Sequence, residues 1–227
     1  TISSSPARLS PLHSLHVEAG AVMADVAGWQ VVQSYGDVED EVRVVGESAG
    51  VCDITGRLVV RVKSFGLDGV LGALAVGVGS VIRDGDRVIA RLTADEALLI
   101  GQLGAGGDWQ GDVIPNGDPT RYTTDVTSGL TGMRIVGPRA RDVIASLSDF
   151  DVREEGFSDW SCAQAGFGEV HGTLLRIDIG GAPAYELYVA REFGVYVWEV
   201  VVESLGQDGV VAFGNETLAR LEQGRGG

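Results

Sequence analysis

The sequence predicts an α+β fold built from two pseudo-symmetric, ferredoxin-like βαββ halves. Three observations carry that prediction. A strand–turn–helix–strand–strand pattern occurs twice, starting at "TGRLVVRVKSFGLDGVLGAL" and at "TGMRIVGPRARDVIASL". Its strand segments are β-branched or alternate in polarity, while its helical segments keep one apolar stripe. Between the copies lies "GAGGDWQGDVIPNGDPT", Gly104 to Thr120, whose five glycines and two prolines mark a connecting loop. The expected organisation is therefore residues 1–103 with the first repeat, the loop 104–120, and residues 121–227 with the second, both halves forming one folded unit.

Each element has its own signal. "LSPLHSLHVEAGA" reads as a helix capped by Ser10, with Pro11 in its first turn and Gly20 as its stop. "GDVEDEVRVVGESAG" reads as a second helix, acidic in its first turn and closed by Gly50. The first repeat continues into the strand pair "GSVIRDGDRVIARL" and then "DEALLIGQL". In the second, Pro138 suits the first turn of a helix whose apolar face ends at Leu147, and "EVHGTLLRIDI" and "APAYELYV" follow as strands. The chain closes with the helix "EFGVYVWEVVVESLG", stopped by Gly206, the short strand "GVVAF", and the helix "NETLARLEQG".

Composition narrows the function. Of 227 residues 44% are apolar, and mean hydropathy is +0.15, enough for a sizeable core. No apolar run reaches the roughly 18 residues of a membrane span, and "TISSSPARLSPL" lacks a signal-peptide core, so a cytoplasmic protein is expected. A net charge of −15 argues against nucleic-acid and anionic-membrane partners. Yet Arg57, Arg61, Lys63, Arg83, Arg87 and Arg91 outnumber Asp68, Asp84 and Asp86, a local excess of +3. That stretch reads either as solvated strand faces or as a cradle for an anionic small molecule. Cys52 and Cys162 stand apart with no metal or redox spacing, and His13, His16 and His171 suggest no third ligand, so no metal is expected.

One strand poses a chemical question. In "GAPAYELYVAREFGVYVWEV", Tyr185, Leu187 and Val189 point to one face, and Glu186 and Tyr188 to the other. A carboxylate in such a strand is costly to bury without a partner.

Several words of the sequence, in order, supply a context. "SPLHSLHVEAGAVMADVAGWQVVQSYG" leads a helix into a Gly-Trp turn and a Tyr; "ESAGVCDITGR" and "LTGMRIVGPRARDVIASL" follow; "GNETLARLEQG" closes the chain. Together these resemble the folate-binding aminomethyltransferase family, which includes the glycine cleavage T-protein and the folate-binding parts of heterotetrameric sarcosine oxidase. "FSDWSCAQAGFGEV" through "YELYVAREFGVYVWEVV" is similar to the gamma subunit of that oxidase. The match covers about residues 10 to 224 and stops where the family's small C-terminal barrel would begin, so the chain is expected to lack that domain.

The resemblance implies a site that binds tetrahydrofolate or 5,10-methylenetetrahydrofolate. It puts Asp86 at the family's catalytic aspartate, with Asp84 the alternative one register away, and Gln102 at an asparagine that ends the neighbouring strand. An aspartate there orients the amine, accepts a proton and stabilises the charge of a methylene-iminium intermediate. The same "R-D-G-D" also reads as an ordinary hairpin turn. The family's "Y-E" pair, here Tyr185–Glu186, meets the pterin, whose 2-amino group and N3 offer the carboxylate two parallel N–H donors. Arg57 falls at a hydrophobic contact of the family and is expected to meet a folate glutamate. Two departures stand out: "I-G-G-A" (Ile179 to Ala182) replaces "Y-T-G-E", and Glu216 replaces an arginine. The expected activity is one-carbon (aminomethyl or methyl) transfer between a small-molecule substrate and tetrahydrofolate. The alternatives are a non-catalytic subunit that works with a partner subunit or a second copy, and a folate-type pocket turned to other chemistry in a secondary pathway.

Overall fold

The structure, a computed structural model, describes residues 7–104, 121–204 and 210–224; most of the connecting loop and Gly206 lie outside the described residues. The fold is mixed α+β. The N-terminal segment runs β1 (Arg8–Leu9), α1 (His13–Glu18), β2 (Val22–Val26), β3 (Trp29–Ser34), α2 (Val38–Glu47) and β4 (Gly50–Asp53). Ser10 Oγ accepts the Leu12 N–H at 3.2 Å, a turn ahead of α1. Asp37 caps α2, accepting from the Glu39 and Asp40 N–H groups at 2.9 and 3.2 Å. Gly50 does not close α2 but begins β4. A Cβ there would lie 2.5 Å from Val45 Cγ2 and 2.6 Å from Phe213 Cδ1, so the position serves a close approach. The hairpin of β2 and β3 turns at Ala27–Gly28, both in the left-handed region, and with β1 makes a three-stranded sheet that the sequence did not announce.

The first repeat runs β5 (Arg57–Ser64), α3 (Leu67–Leu71), β6 (Val81–Asp84), β7 (Arg87–Arg91) and β8 (Glu96–Leu103), followed by β9 (Arg121–Asp125). The second runs β10 (Leu130–Val136), α4 (Ala140–Leu147), β11 (Ser161–Phe167), β12 (Val170–Arg176) and β13 (Ala184–Ala190), then α5 (Gly194–Glu203), β14 (Val211–Ala212) and α6 (Asn215–Gln223). Each repeat places three strands after its helix, and the two sheets share a spatial order: β6-β7-β8-β5 in one and β11-β12-β13-β10 in the other. Outside these, β9 extends the first sheet, while β4 and β14 extend the second. No described helix is long and apolar enough to cross a membrane.

Strand alternation sorts the core into layers. Tyr185, Leu187 and Val189 pack with Val143, Ile144 and Trp198 of α4 and α5. The opposite face, with Tyr188 and Leu175, joins Val59, Leu98 and Ile100 of the other sheet in a shared central cluster. The sheets also meet at their ends. Ser80 bridges Ser161, Val81 N–H donates to the Trp160 carbonyl at 2.8 Å, and Cys162 N–H donates to the Gly79 carbonyl at 2.8 Å. This seam fixes the β6–β7 hairpin over the inner face of β13, the face that carries Glu186.

Candidate functional site

The inner layer is not filled throughout. A cavity of about 290 Å³ lies between the sheets, near the low end of the roughly 300–1,000 Å³ of small-molecule sites. Val88, Ile100 and Ile177 form its apolar wall, and Arg57, Arg83, Asp86, Gln102, Arg134, Glu186 and Glu222 its polar lining. Local structure delivers each group. Arg57 starts β5. Gln102 lies where Leu58 of β5 faces both Gly101 and Gln102 of β8, between the pairs Arg57–Leu103 and Val59–Ile100, a bulge that re-aims side chains. Asp86 sits in the tight β6–β7 turn beside Gly85, whose φ of 62° suits glycine. Arg134 lies directly opposite Glu186 in the β10–β13 register.

Glu186 is 3% exposed, and it holds two arginines. Its Oε1 accepts from Arg57 Nη1 at 2.8 Å and from Arg134 Nη1, and its Oε2 accepts from the Tyr188 hydroxyl at 2.8 Å. Burial pushes the carboxyl pKa upward, but the Arg134 and Arg57 guanidiniums and the Tyr188 hydroxyl outweigh it, and the net shift is downward. Glu186 is thus a carboxylate. Burial and that adjacent charge drive the Tyr188 hydroxyl well above its ordinary range, so it stays a donor. Arg134 also donates to the Ile177 carbonyl at 3.3 Å, and Glu222 reaches both arginines only at 3.8 to 4.0 Å.

Asp86 and Asp84 part company. Asp84 is tied to Arg87 Nε at 2.8 Å and does not line the cavity, whereas Asp86 lines it and has no hydrogen-bond or ion-pair partner among the described residues. A free carboxylate at a cavity mouth can take up a proton or face a developing positive charge. Asp86, Gln102, Arg57 and Glu186 therefore come together in one cavity. Tyr185 does not join them. Alternation turns it to the other face of β13, where it stacks on Phe157 under the Arg176 guanidinium.

Arg134 and Glu222 escaped the sequence reading, which put Tyr188 on the face of Glu186 without assigning it to the site. Arg134 did carry a signal: it is the single charge in the apolar strand "LTGMRIV", as Glu186 is in its own strand. The cysteines offer no chemistry here, since burial raises both thiols, Cys162 to about 12.

A second, smaller cavity of about 60 Å³ shares Arg57 and Gln102 with the first and is lined also by Asp53, Thr55 and Asn215. Behind it runs a buried chain: the Tyr35 hydroxyl meets His16 Nδ1 at 2.6 Å, and His16 Nε2 meets Asp53 Oδ2 at 3.0 Å. Burial again acts upward on Asp53, but hydrogen bonding and charge from His16, with bonds from Ser10 and Thr55, hold its pKa below the ordinary value.

Comparison with known proteins adds descent to this geometry. The family model described as GCVT N-terminal domain matches residues 70–226. The chain is 30% identical over 256 residues to sarcosine oxidase subunit alpha from Corynebacterium sp. (strain P-1), an alignment covering 97% of this chain and 26% of that protein. It is 24% identical over 234 residues to an aminomethyltransferase from Thermotoga sp. (strain RQ2), covering 94% and 63% respectively. The glycine cleavage system aminomethyltransferase T from Bartonella henselae superposes with a TM-score of 0.79 at 17% identity, covering 96% of this chain and 62% of that one. The chain thus spans about a quarter of the oxidase subunit's length, and that subunit is alpha, whereas the second-half words resemble gamma.

Proposed function

Because the chain belongs to the GCVT N-terminal domain family, we propose that its central cavity binds the pteridine ring of tetrahydrofolate for one-carbon transfer to or from a small-molecule amine. One observation carries the proposal: Asp86, Gln102, Arg57 and Glu186, remote in sequence, line one cavity. The residues suit the cofactor. Val88, Ile100 and Ile177 offer apolar surface to a flat ring, and the Gln102 amide can both donate and accept at its edge. Glu186, held ionised by its arginines, is the acceptor that a pair of parallel N–H donors requires. The cofactor when bound supplies a nucleophilic ring nitrogen that carries the one-carbon unit. Asp86 is left to orient the substrate amine, hold its proton and stabilise positive charge.

Two observations favour a second reading. The oxidase relative is by name a subunit, and Phe65 and Tyr122, at the end of the β5–β9 pair, are 85% and 69% exposed. On that reading the chain works against a partner subunit or a second copy.

Calorimetric titration with tetrahydrofolate tests the first reading. Wild type is expected to bind. Glu186→Gln should bind ten- to a hundredfold more weakly, in keeping with the roughly 1.5–3 kcal/mol of a hydrogen bond to a charged group. Asp86→Asn should bind within about threefold of wild type yet lose turnover by about a hundredfold or more. No heat, with no thermal protection at millimolar ligand, would remove the proposal. Binding without turnover would favour the subunit reading.

A further inference from the structure

The hydrogen bonds of Glu186 set a condition on any ligand that uses it. A carboxylate offers about four lone-pair sites, two on each oxygen. Arg57 and Arg134 fill both on Oε1, and Tyr188 takes one on Oε2. A ligand that presents two parallel N–H donors needs one site on each oxygen and finds room on Oε2 alone. One arginine must let go of Oε1.

The two arginines are not equally held. Arg134 is in strand register with Glu186, its side chain is 5% exposed, and its second amino group is fastened to the Ile177 carbonyl. Arg57 arises from the other sheet beside the β8 bulge, its side chain is 13% exposed, and its outer contact is Glu222 at 4.0 Å. It also has somewhere to go. The smaller cavity borders Arg57 and presents the Asp53 carboxylate and the Asn215 side chain. A displaced guanidinium needs such an acceptor, because an unpaired buried charge costs several kcal/mol.

We infer that Arg57 is a specificity-determining gate. Its guanidinium occupies the edge of Glu186 that a ligand with two parallel N–H donors would take, and such a ligand binds as Arg57 turns toward the Asp53 cavity. The inference shares its cavity with the folate reading but concerns which donor holds the carboxylate. A single donor can use the open site on Oε2 with Arg57 in place, so the gate moves only for ligands whose paired donors outbid a guanidinium.

The test compares wild type, Arg57→Leu, Arg57→Lys and Arg57→Leu/Glu186→Gln in calorimetric titrations with tetrahydrofolate and with 6-methylpterin, which keeps the ring edge without the tail. Arg57→Leu is expected to bind both probes at least tenfold more tightly than wild type, and the double variant should lose that gain. Arg57→Lys keeps a cation near Glu186 and carries the test should the leucine variant fail to fold; a gain of about threefold is expected. Equal or weaker binding in the Arg57 variants, or a gain that survives Glu186→Gln, overturns the gate. Wild type that binds tetrahydrofolate with no gain on substitution overturns the gate alone. A variant that binds while wild type does not supports the gate and rejects the folate reading for the natural chain. Silence from every protein rejects both.

Discussion

Glu41 and Glu186 are both buried carboxylates, and their partners set the structural tie of the first apart from the role proposed for the second. Glu41 lines neither of the two cavities described above. It accepts the Tyr35 N–H at 2.6 Å, the Gly214 N–H at 3.0 Å and the Thr217 hydroxyl at 2.6 Å, joining α2 to β3 and α6. Removing it strands three buried donors. Glu41→Ala is expected to destabilise the chain by about 3 kcal/mol, read from the urea midpoint; a loss below about 1 kcal/mol would mean that water replaces the carboxylate. Glu186 instead holds two cations beside the central cavity, an arrangement that contributes little net stability over apolar packing and agrees with the ligand-binding role proposed for it. The two were not equally legible. Glu186 interrupts an apolar strand, and that cost is visible in sequence. Glu41 sits among acids that favour any helix start, and nothing nearby reveals which one turns inward, because Thr217 lies 176 residues away.

Among the elements, α6 has the most exacting seat. Gly214 precedes it, and a Cβ there would fall 1.9 Å from the Gln33 carbonyl oxygen, a backbone atom that cannot swing aside. Asn215 Nδ2 then donates to the Val32 carbonyl at 2.8 Å, which secures the first turn. Gly214→Ala should cost about 3 kcal/mol or more by forcing α6 off β3. Hydrogen exchange across residues 215–223 should accelerate while β12 and β13 stay protected; unchanged exchange in α6 would refute this account. Since Glu222 rides on α6, the variant should also loosen the outer contact of Arg57. The helices were readable from their apolar stripes and glycine stops, and α2 also from its acidic first turn. The β1–β2–β3 sheet was not, because β1 has only two residues and β2 and β3 join at an Ala-Gly turn without the usual Asn or Asp. Gly50 misled because a glycine after a helix usually caps it, and here the demand came from Phe213, far along the chain.

For the molecule as a whole, the depressed carboxyls set the response to acid. Glu186 and Asp53 both titrate below their free values in the fold. Their ionised forms therefore stabilise it fully above the unfolded values of about 4.3 and 3.9, and that contribution drains away as pH falls toward the folded ones. The urea midpoint should hold level from pH 7 to about 5 and then fall. Glu186→Gln, less stable at neutral pH, should show the shallower fall; parallel curves down to pH 3 would show that Glu186 plays no part. Relief of the −15 net charge acts the other way over the same range, so the pair should be compared at one high salt concentration.

The Ser80–Ser161 bridge also has a bearing on colloidal behaviour. A bare strand margin is a template on which a neighbouring molecule can build, the first step toward fibrils. The bridge pins the outer strands β6 and β11 to each other at their first residues, which narrows access to that end of both margins. The opposite limits of the two large sheets are the two-residue β14 and the strand Arg121–Asp125. On the β9 margin, charges of opposite sign at Arg121 and Asp125 disfavour a snug, uncharged match with a neighbouring strand.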